Sequence, residues 1–272
     1  MSTDRAPENK GRQIATSENT VFLTVAAYED YESQTSALRQ SAADHHVPLI
    51  FYDKGESWKG FYHHKIERMC GHLCRLHDMG KRFAFILDSR DVVFIDPIDS
   101  ILEKFNALYN GRVIFNNDVP GKIWPSHKDD LARTIEAAMG TEHVRLNAGA
   151  LAGDIVTILN IQRHVIALRH ELKTGRPRPG IADSLYREIG TAHLDDDQHL
   201  YQMCLTYYPE LFRIDCDKEL FAILTAYPKD NREHSDDPRR HDVINNAAIV
   251  HSPWLSCGQE WQNRAFQNRW KR

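Results

Sequence analysis

Five apolar residues, Phe83-Ala84-Phe85-Ile86-Leu87, run without interruption into Asp88, and a second apolar run, Val92-Val93-Phe94, follows Asp91. A short apolar run of this kind, with no polar alternation, reads as a strand buried on both faces. Such a strand demands a sheet covered by helices on both sides, which confines the chain to α/β architectures. In open sheets of that class, ligands bind beyond the carboxyl ends of the strands. Asp88 and Asp91 fall at that end. Two carboxylates are hard oxygen donors suited to Mg²⁺ or Mn²⁺. Aspartate is also an ordinary turn residue, so the pair gains meaning only from what accompanies it.

The rest of the chain supplies the company. Val21 to Ala26 predicts a first strand, opening into the loop Ala27-Tyr28-Glu29-Asp30-Tyr31. A helix from about Ser33 to Asp44 and a strand from Val47 to Tyr52 complete a βαβ unit, the signature of parallel pairing. The loop Asp53-Lys54-Gly55-Glu56-Ser57-Trp58-Lys59-Gly60 leads into a helix from about His64 to Met79. Its apolar stripe is Ile66, Met69, Cys70, Leu73 and Cys74. His72 and His77 stand near those cysteines and raise the question of zinc, but the stripe already explains both thiols as small hydrophobes.

Further on, Ile98 to Ala107 reads as a helix and Arg112 to Asn116 as a strand. A loop carrying Trp124-Pro125 and a short helix from Asp129 to Met139 follow. Arg145 to Gly153 mixes small residues with a strand pattern, which lets a ligand or another backbone approach closely. Asp154 is placed to cap a long helix through Leu168. Leu194-Asp195-Asp196-Asp197-Gln198 opens another helix reaching Tyr208, its acidic start favoured by the helix dipole. Strands are predicted over Leu211 to Ile214, Leu220 to Leu224 and Ala247 to His251, with a charged loop or lid from Ala226 to Asp242.

Composition narrows the class. A chain of 272 residues with 42% hydrophobic content suits one α/β domain, here over 20–258. A polar, disordered segment over 1–19 and a helical tail over 259–272 flank it. The net charge of −4 supplies no basic field for nucleic acid. No apolar run reaches the ~18–20 residues of a membrane span. The polar N-terminus lacks a signal-peptide core, and five cysteines do not form a disulfide framework. A cytoplasmic protein is expected.

Three polar clusters fall at strand ends or a helix start: Asp88 with Asp91, Asp195 to Asp197, and His251. A borderline ion such as Mn²⁺ accepts carboxylates and an imidazole together. So held, it can neutralise a diphosphate leaving group, as sugar transfer from a nucleotide-diphosphate sugar requires.

The order of these motifs resembles the glycosyltransferase domain of the procollagen lysyl hydroxylases and their relatives, from about Val21 to Trp254. The Gly-Glu-x-Trp-x-Gly loop of that family is matched by Gly55 to Gly60, and a lysine near the next helix start by Lys65. Asp-Ser-x-Asp-Val appears as Asp88-Ser89-Arg90-Asp91-Val92, Trp-Pro as Trp124-Pro125, and Leu-Asn-Ser-Gly-Gly as Leu146-Asn147-Ala148-Gly149-Ala150. The Asp-Asp-Gln helix start is Asp196-Asp197-Gln198, and the histidine after a late apolar strand is His251.

The resemblance implies a GT-A type fold: a Rossmann-like, mixed, mostly parallel sheet flanked by helices. It implies a UDP-sugar donor, UDP-glucose or UDP-galactose, and Mn²⁺ (or Mg²⁺) held by Asp88, Asp91 and His251. Trp58 and the first-strand loop, Thr24, Ala26 and Tyr28 with Ser89, would hold the uridine. Lys65 would lie near the donor phosphates or sugar. Asn147, Asp196 and Asp197 would face the transferred sugar or the acceptor, which could be a protein, a glycan or a small molecule. Asp196 or Asp197 would serve as base if the outcome is inversion. Trp124 would flank the acceptor.

Two departures stand out. The family has Gly-Asn-Gly after the histidine, where this chain has Ser252-Pro253-Trp254, and proline removes a backbone donor. The family's Ser-Gly-Gly is here Ala148-Gly149-Ala150, which loses a hydroxyl. The alternative is a catalytically silent nucleotide-sugar or protein-binding module on the same fold. A phosphatase of the aspartyl type needs Asp-x-Asp, and the spacing here is Asp-x-x-Asp.

Overall fold

The computed structural model describes residues 14–117, 136–140, 146–175, 194–223 and 246–251. Trp124, the segments 226–242 and 252–254, and the tail from 259 lie outside the described residues, as do residues 1–13.

Among the described residues, nine strands form two sheets. The larger takes β1 (Thr20–Val25), β2 (Leu49–Tyr52), β3 (Phe83–Leu87), β5 (Val113–Asn117), β6 (Leu146–Asp154) and β7 (Phe212–Asp215) in the order β2-β1-β3-β6-β5-β7. β1 pairs parallel with both β2 and β3, and β5 pairs parallel with β7. β6 alone runs antiparallel, to β3 on one side and β5 on the other. This is the mixed, mostly parallel, helix-flanked sheet that the resemblance implies. The smaller sheet sets β9 (Ile249–His251) between β4 (Val92–Phe94) and β8 (Phe221–Ile223).

Side-chain alternation divides the core. Val21, Leu23 and Val25 of β1, with Ala84 and Ile86 of β3, face one hydrophobic cluster. Phe22, Phe83, Phe85 and Leu87 face the other. The first cluster is closed by α3 (Met69–Asp78), α5 (Ile155–Thr174) and α6 (Asp197–Tyr207). The second is closed by α2 (Ser36–Asp44) and α4 (Ile98–Leu108). Both faces of β3 are buried, as its unbroken apolar run requires.

Among the described residues the predicted elements are found with small shifts at their ends; of the helix expected over Asp129–Met139, residues 129–135 lie outside the described residues. The helix expected from Ser33 breaks at Thr35 into the four-residue turn α1 (Tyr31–Gln34) and α2. Asp154 caps α5 by accepting from the Val156 amide, and Gly175 ends that helix at φ 65°. The helix expected from His64 begins as a π-helical stretch, Tyr62–Arg68, before α3. Residues 14–19 are ordered: Ala15 is buried and exchanges two hydrogen bonds with the Asn106 amide.

Candidate active site

The parallel strands deliver their carboxyl ends to one edge of the large sheet, and β6, running the other way, delivers its amino end there. Tyr28, Asp53, Asp88 and Asn147 therefore meet at one rim. The small sheet adds His251, because β9 pairs with β4 in a register that sets His251 opposite Val92, next to Asp91.

Lys65 is the hub. The π-helical turn widens the helix by one residue and turns Tyr62, His64, Lys65 and Ile66 inward together. The Lys65 ammonium lies 2.7 Å from Asp88 Oδ1 and 2.6 Å from Asp197 Oδ2, and donates to the Ala148 carbonyl at 3.2 Å. Burial works against its charge, but Asp197 and then Asp88 outweigh burial, so its pKa rises. Burial pushes the Asp197 carboxyl up, with Lys65 opposing, and the net direction is upward. Asp196 does different work. Its Oδ1 caps α6 through the amides of Gln198 and His199, and its Oδ2 lies 2.7 Å from His199 Nδ1.

Asp88, Asp91 and His251 offer three ligand atoms within 4.8 Å of one another. His251 is buried, and its Nε2 has no hydrogen-bond partner. That nitrogen faces Asp91 Oδ2 at 3.5 Å and Asp88 Oδ2 at 3.6 Å. Burial lowers the pKa of His251, and Asp91 more than reverses it. Burial raises that of Asp91, and His251 and Lys65 bring it below the usual range. Two hard oxygens and an imidazole nitrogen with a spare lone pair suit a borderline divalent ion. Asp88 and Asp197 share the Lys65 ammonium, and Asp91 adds a third carboxylate beside them, so the cluster is net negative while His251 is neutral.

The other expected residues divide. Tyr28 and Ser89 join through their hydroxyls at 3.1 Å. Trp58 is 38% exposed and stacks on His64, with its ring nearly parallel to Tyr28 at 6.3 Å between centroids. Thr24 and Ala26 are fully buried, and the Thr24 hydroxyl donates to the Leu87 carbonyl at 2.8 Å. Asn147 is also buried, with its Oδ1 taken by the Gly149 amide and His251 Nδ1. Cys70 and Cys74 form no disulfide, and Cys70 donates to Gln162 Oε1 at 3.0 Å.

A second polar cluster was not singled out from sequence. Asp53 accepts from or pairs with His64 Nδ1 (2.7 Å), Arg68 (2.7 Å) and, more distantly, His72 Nε2 (3.4 Å). Arg68 also holds Glu56 at 2.8 Å, and the second nitrogen of His64 receives the Lys59 amide. Asp53, Glu56 and His64 lie close enough for an ion. His64 and Arg68 engage both carboxylates, and the Lys59 amide engages His64, so the cluster serves as a clasp beneath Trp58. The signal was present: Asp53 directly follows a predicted strand, as Asp88 does.

Comparison with known proteins bears on this rim. A family model described as the PLOD GT domain matches residues 16–167, more than half of the chain. No curated protein matches. Among solved structures, the chain is similar to one titled "crystal structure of a glycosyltransferase involved in the glycosylation of the major capsid of PBCV-1". That match is 13% identical with a TM-score of 0.49, and covers 90% of this chain and 98% of that one. It is too slight a likeness to carry weight of its own.

Proposed function

The chain belongs to the PLOD GT domain family of glycosyltransferases, and from that premise we propose that it moves a hexose from a UDP-sugar to an acceptor hydroxyl with a divalent cation, Mn²⁺ or Mg²⁺, held by Asp88, Asp91 and His251. The observation that carries the reading is the buried Nε2 of His251 turned towards two carboxylates, 3.5 and 3.6 Å away. The cation, when bound, would act as a Lewis acid on the departing diphosphate.

The chain's own residues take the remaining tasks. Trp58 and Tyr28 offer nearly parallel aromatic faces at the rim, suited to a flat base. Lys65 is held charged by its two carboxylates and sits where negative charge would develop on the leaving group. The same ion pair argues against Asp197 as a free general base, and capping argues against Asp196. We read the acidic pair as orienting Lys65 and the substrate. The four cysteines among the described residues are free, which supports a reducing compartment such as the cytoplasm. None of the described helices is long and apolar enough to cross a membrane.

The test is release of UDP from a panel of UDP-sugars, with and without Mn²⁺, alongside thermal unfolding. A donor at ~100 times its dissociation constant should add about 2.7 kcal/mol of stability. For a chain of this size that corresponds to roughly 5–10 °C. Asp88→Asn with Asp91→Asn should abolish both the metal-dependent shift and UDP release. A double variant that still releases UDP at the wild-type rate rules the assignment out.

A further inference from the structure

We propose that Asn147 and Gly149 form the seat of His251: Asn147 fixes the imidazole tautomer that frees Nε2 for a cation, and Gly149 vacates the space in which the ring lies. The inference rests on the cation reading above and adds two positioning residues to it.

The atom assignment at Asn147 follows from hydrogen-bond chemistry. The Gly149 backbone N–H points at the Asn147 side-chain atom at 2.8 Å, so that atom must be the carbonyl oxygen. The same oxygen lies 3.0 Å from His251 Nδ1. An amide oxygen only accepts, so Nδ1 must carry a proton. In neutral imidazole the lone pair is then on Nε2, the atom facing Asp88 and Asp91. An acceptor behind a ligating histidine also orients the ring and raises its basicity.

Gly149 contributes by what it lacks. A Cβ built there would fall 2.0 Å from His251 Cε1, 2.4 Å from Nδ1 and 2.7 Å from Nε2. All three contacts are with the buried ring itself, so a side chain at 149 displaces the imidazole. The Gly149 carbonyl meanwhile accepts the Asp88 amide at 2.8 Å. Three consecutive residues of β6 thus each hold one part of the rim: Asn147 holds His251, Ala148 holds Lys65, and Gly149 holds Asp88. The register that sets Ala150 opposite Leu87 fixes this arrangement.

The experiment measures Mn²⁺ affinity of the full chain by calorimetry, without donor, for wild type, Asn147→Ala, Asn147→Asp and Gly149→Ala. In parallel, the ¹⁵N shifts of His251 report its tautomer in metal-free protein. Asn147→Ala should weaken Mn²⁺ binding by roughly 10–100-fold and lose the single Nδ1–H tautomer. Asn147→Asp, which keeps the acceptor, should restore both. Gly149→Ala should weaken binding at least as much while leaving the Asn147 side chain unchanged. A folded Asn147→Ala protein with wild-type affinity and tautomer overturns the inference and leaves the cation reading standing. If instead wild type binds Mn²⁺ no better than Asp88→Asn, the cation reading itself falls, and the inference with it. Should Asn147→Ala fail to fold, wild-type Mn²⁺ affinity in Gly149→Ala is enough to overturn the proposal.

Discussion

Lys65 has 8% of its surface exposed and lies between two carboxylates from distant parts of the chain. At the scale of one residue this predicts a large asymmetry. Lys65→Met removes the cation and leaves the buried Asp197 carboxylate without its partner, which should cost about 3–5 kcal/mol of stability. Adding Asp197→Leu to Lys65→Met should recover part of that loss, because the second buried charge goes too. Urea unfolding of the two single variants and the double variant measures the coupling. Strictly additive effects would mean that the pair does not interact. The same burial explains why Lys65 could be placed from sequence only through its motif. On a helix start, a lysine is ordinarily solvated, and only the carboxylates that converge on it make burial affordable.

At the scale of elements, the π-helical turn sets the aim of Lys65. A regular α-helix would not turn His64, Lys65 and Ile66 inward in succession. The turn holds one residue more than the regular spacing needs, and deleting His63, which is half-buried, pairs with Glu67 and lies edge-on to His64, should restore an ordinary helix. The deletion is expected to leave cooperative unfolding intact while lowering UDP release by at least ~10²-fold, the scale of a 1 Å misplacement. Wild-type turnover in that variant would show that the turn does not aim Lys65. Beneath it, the Asp53 clasp ties the Trp58 loop to the same turn through His64 and Arg68. β6 matters for a related reason: its antiparallel course brings the start of a strand, with Asn147, to a rim otherwise built from strand ends.

At the scale of the molecule, stability against pH should carry the mark of two histidines with opposite signs. Burial lowers the pKa of His72, and Arg75 donates to its Nδ1, holding the ring neutral. A lowered pKa contributes stability that is present above the unfolded value, ~6.5, and is lost as pH falls through the folded value. His251, despite burial, is raised by Asp91. Its contribution is full below ~6.5 and is lost as pH rises through the folded value. In metal-free buffer, His72→Asn should therefore lose less stability than wild type between pH 7 and 5. Equal acid slopes by urea unfolding would show that His72 does not carry that term. The two contributions illustrate what was legible in advance. The apolar run into Asp88, the βαβ spacing, the Asp154 cap and the motif order determined the α/β class, the rim and most of its residues, because strand burial and helix caps are local properties of the chain. The Asp53 clasp, the π turn, the burial of Asn147 and the space at Gly149 were decided only in three dimensions. Each depends on which residue lies across from which, 11 residues away for Asp53 and His64 and 104 for Asn147 and His251, and sequence spacing carries no record of that distance.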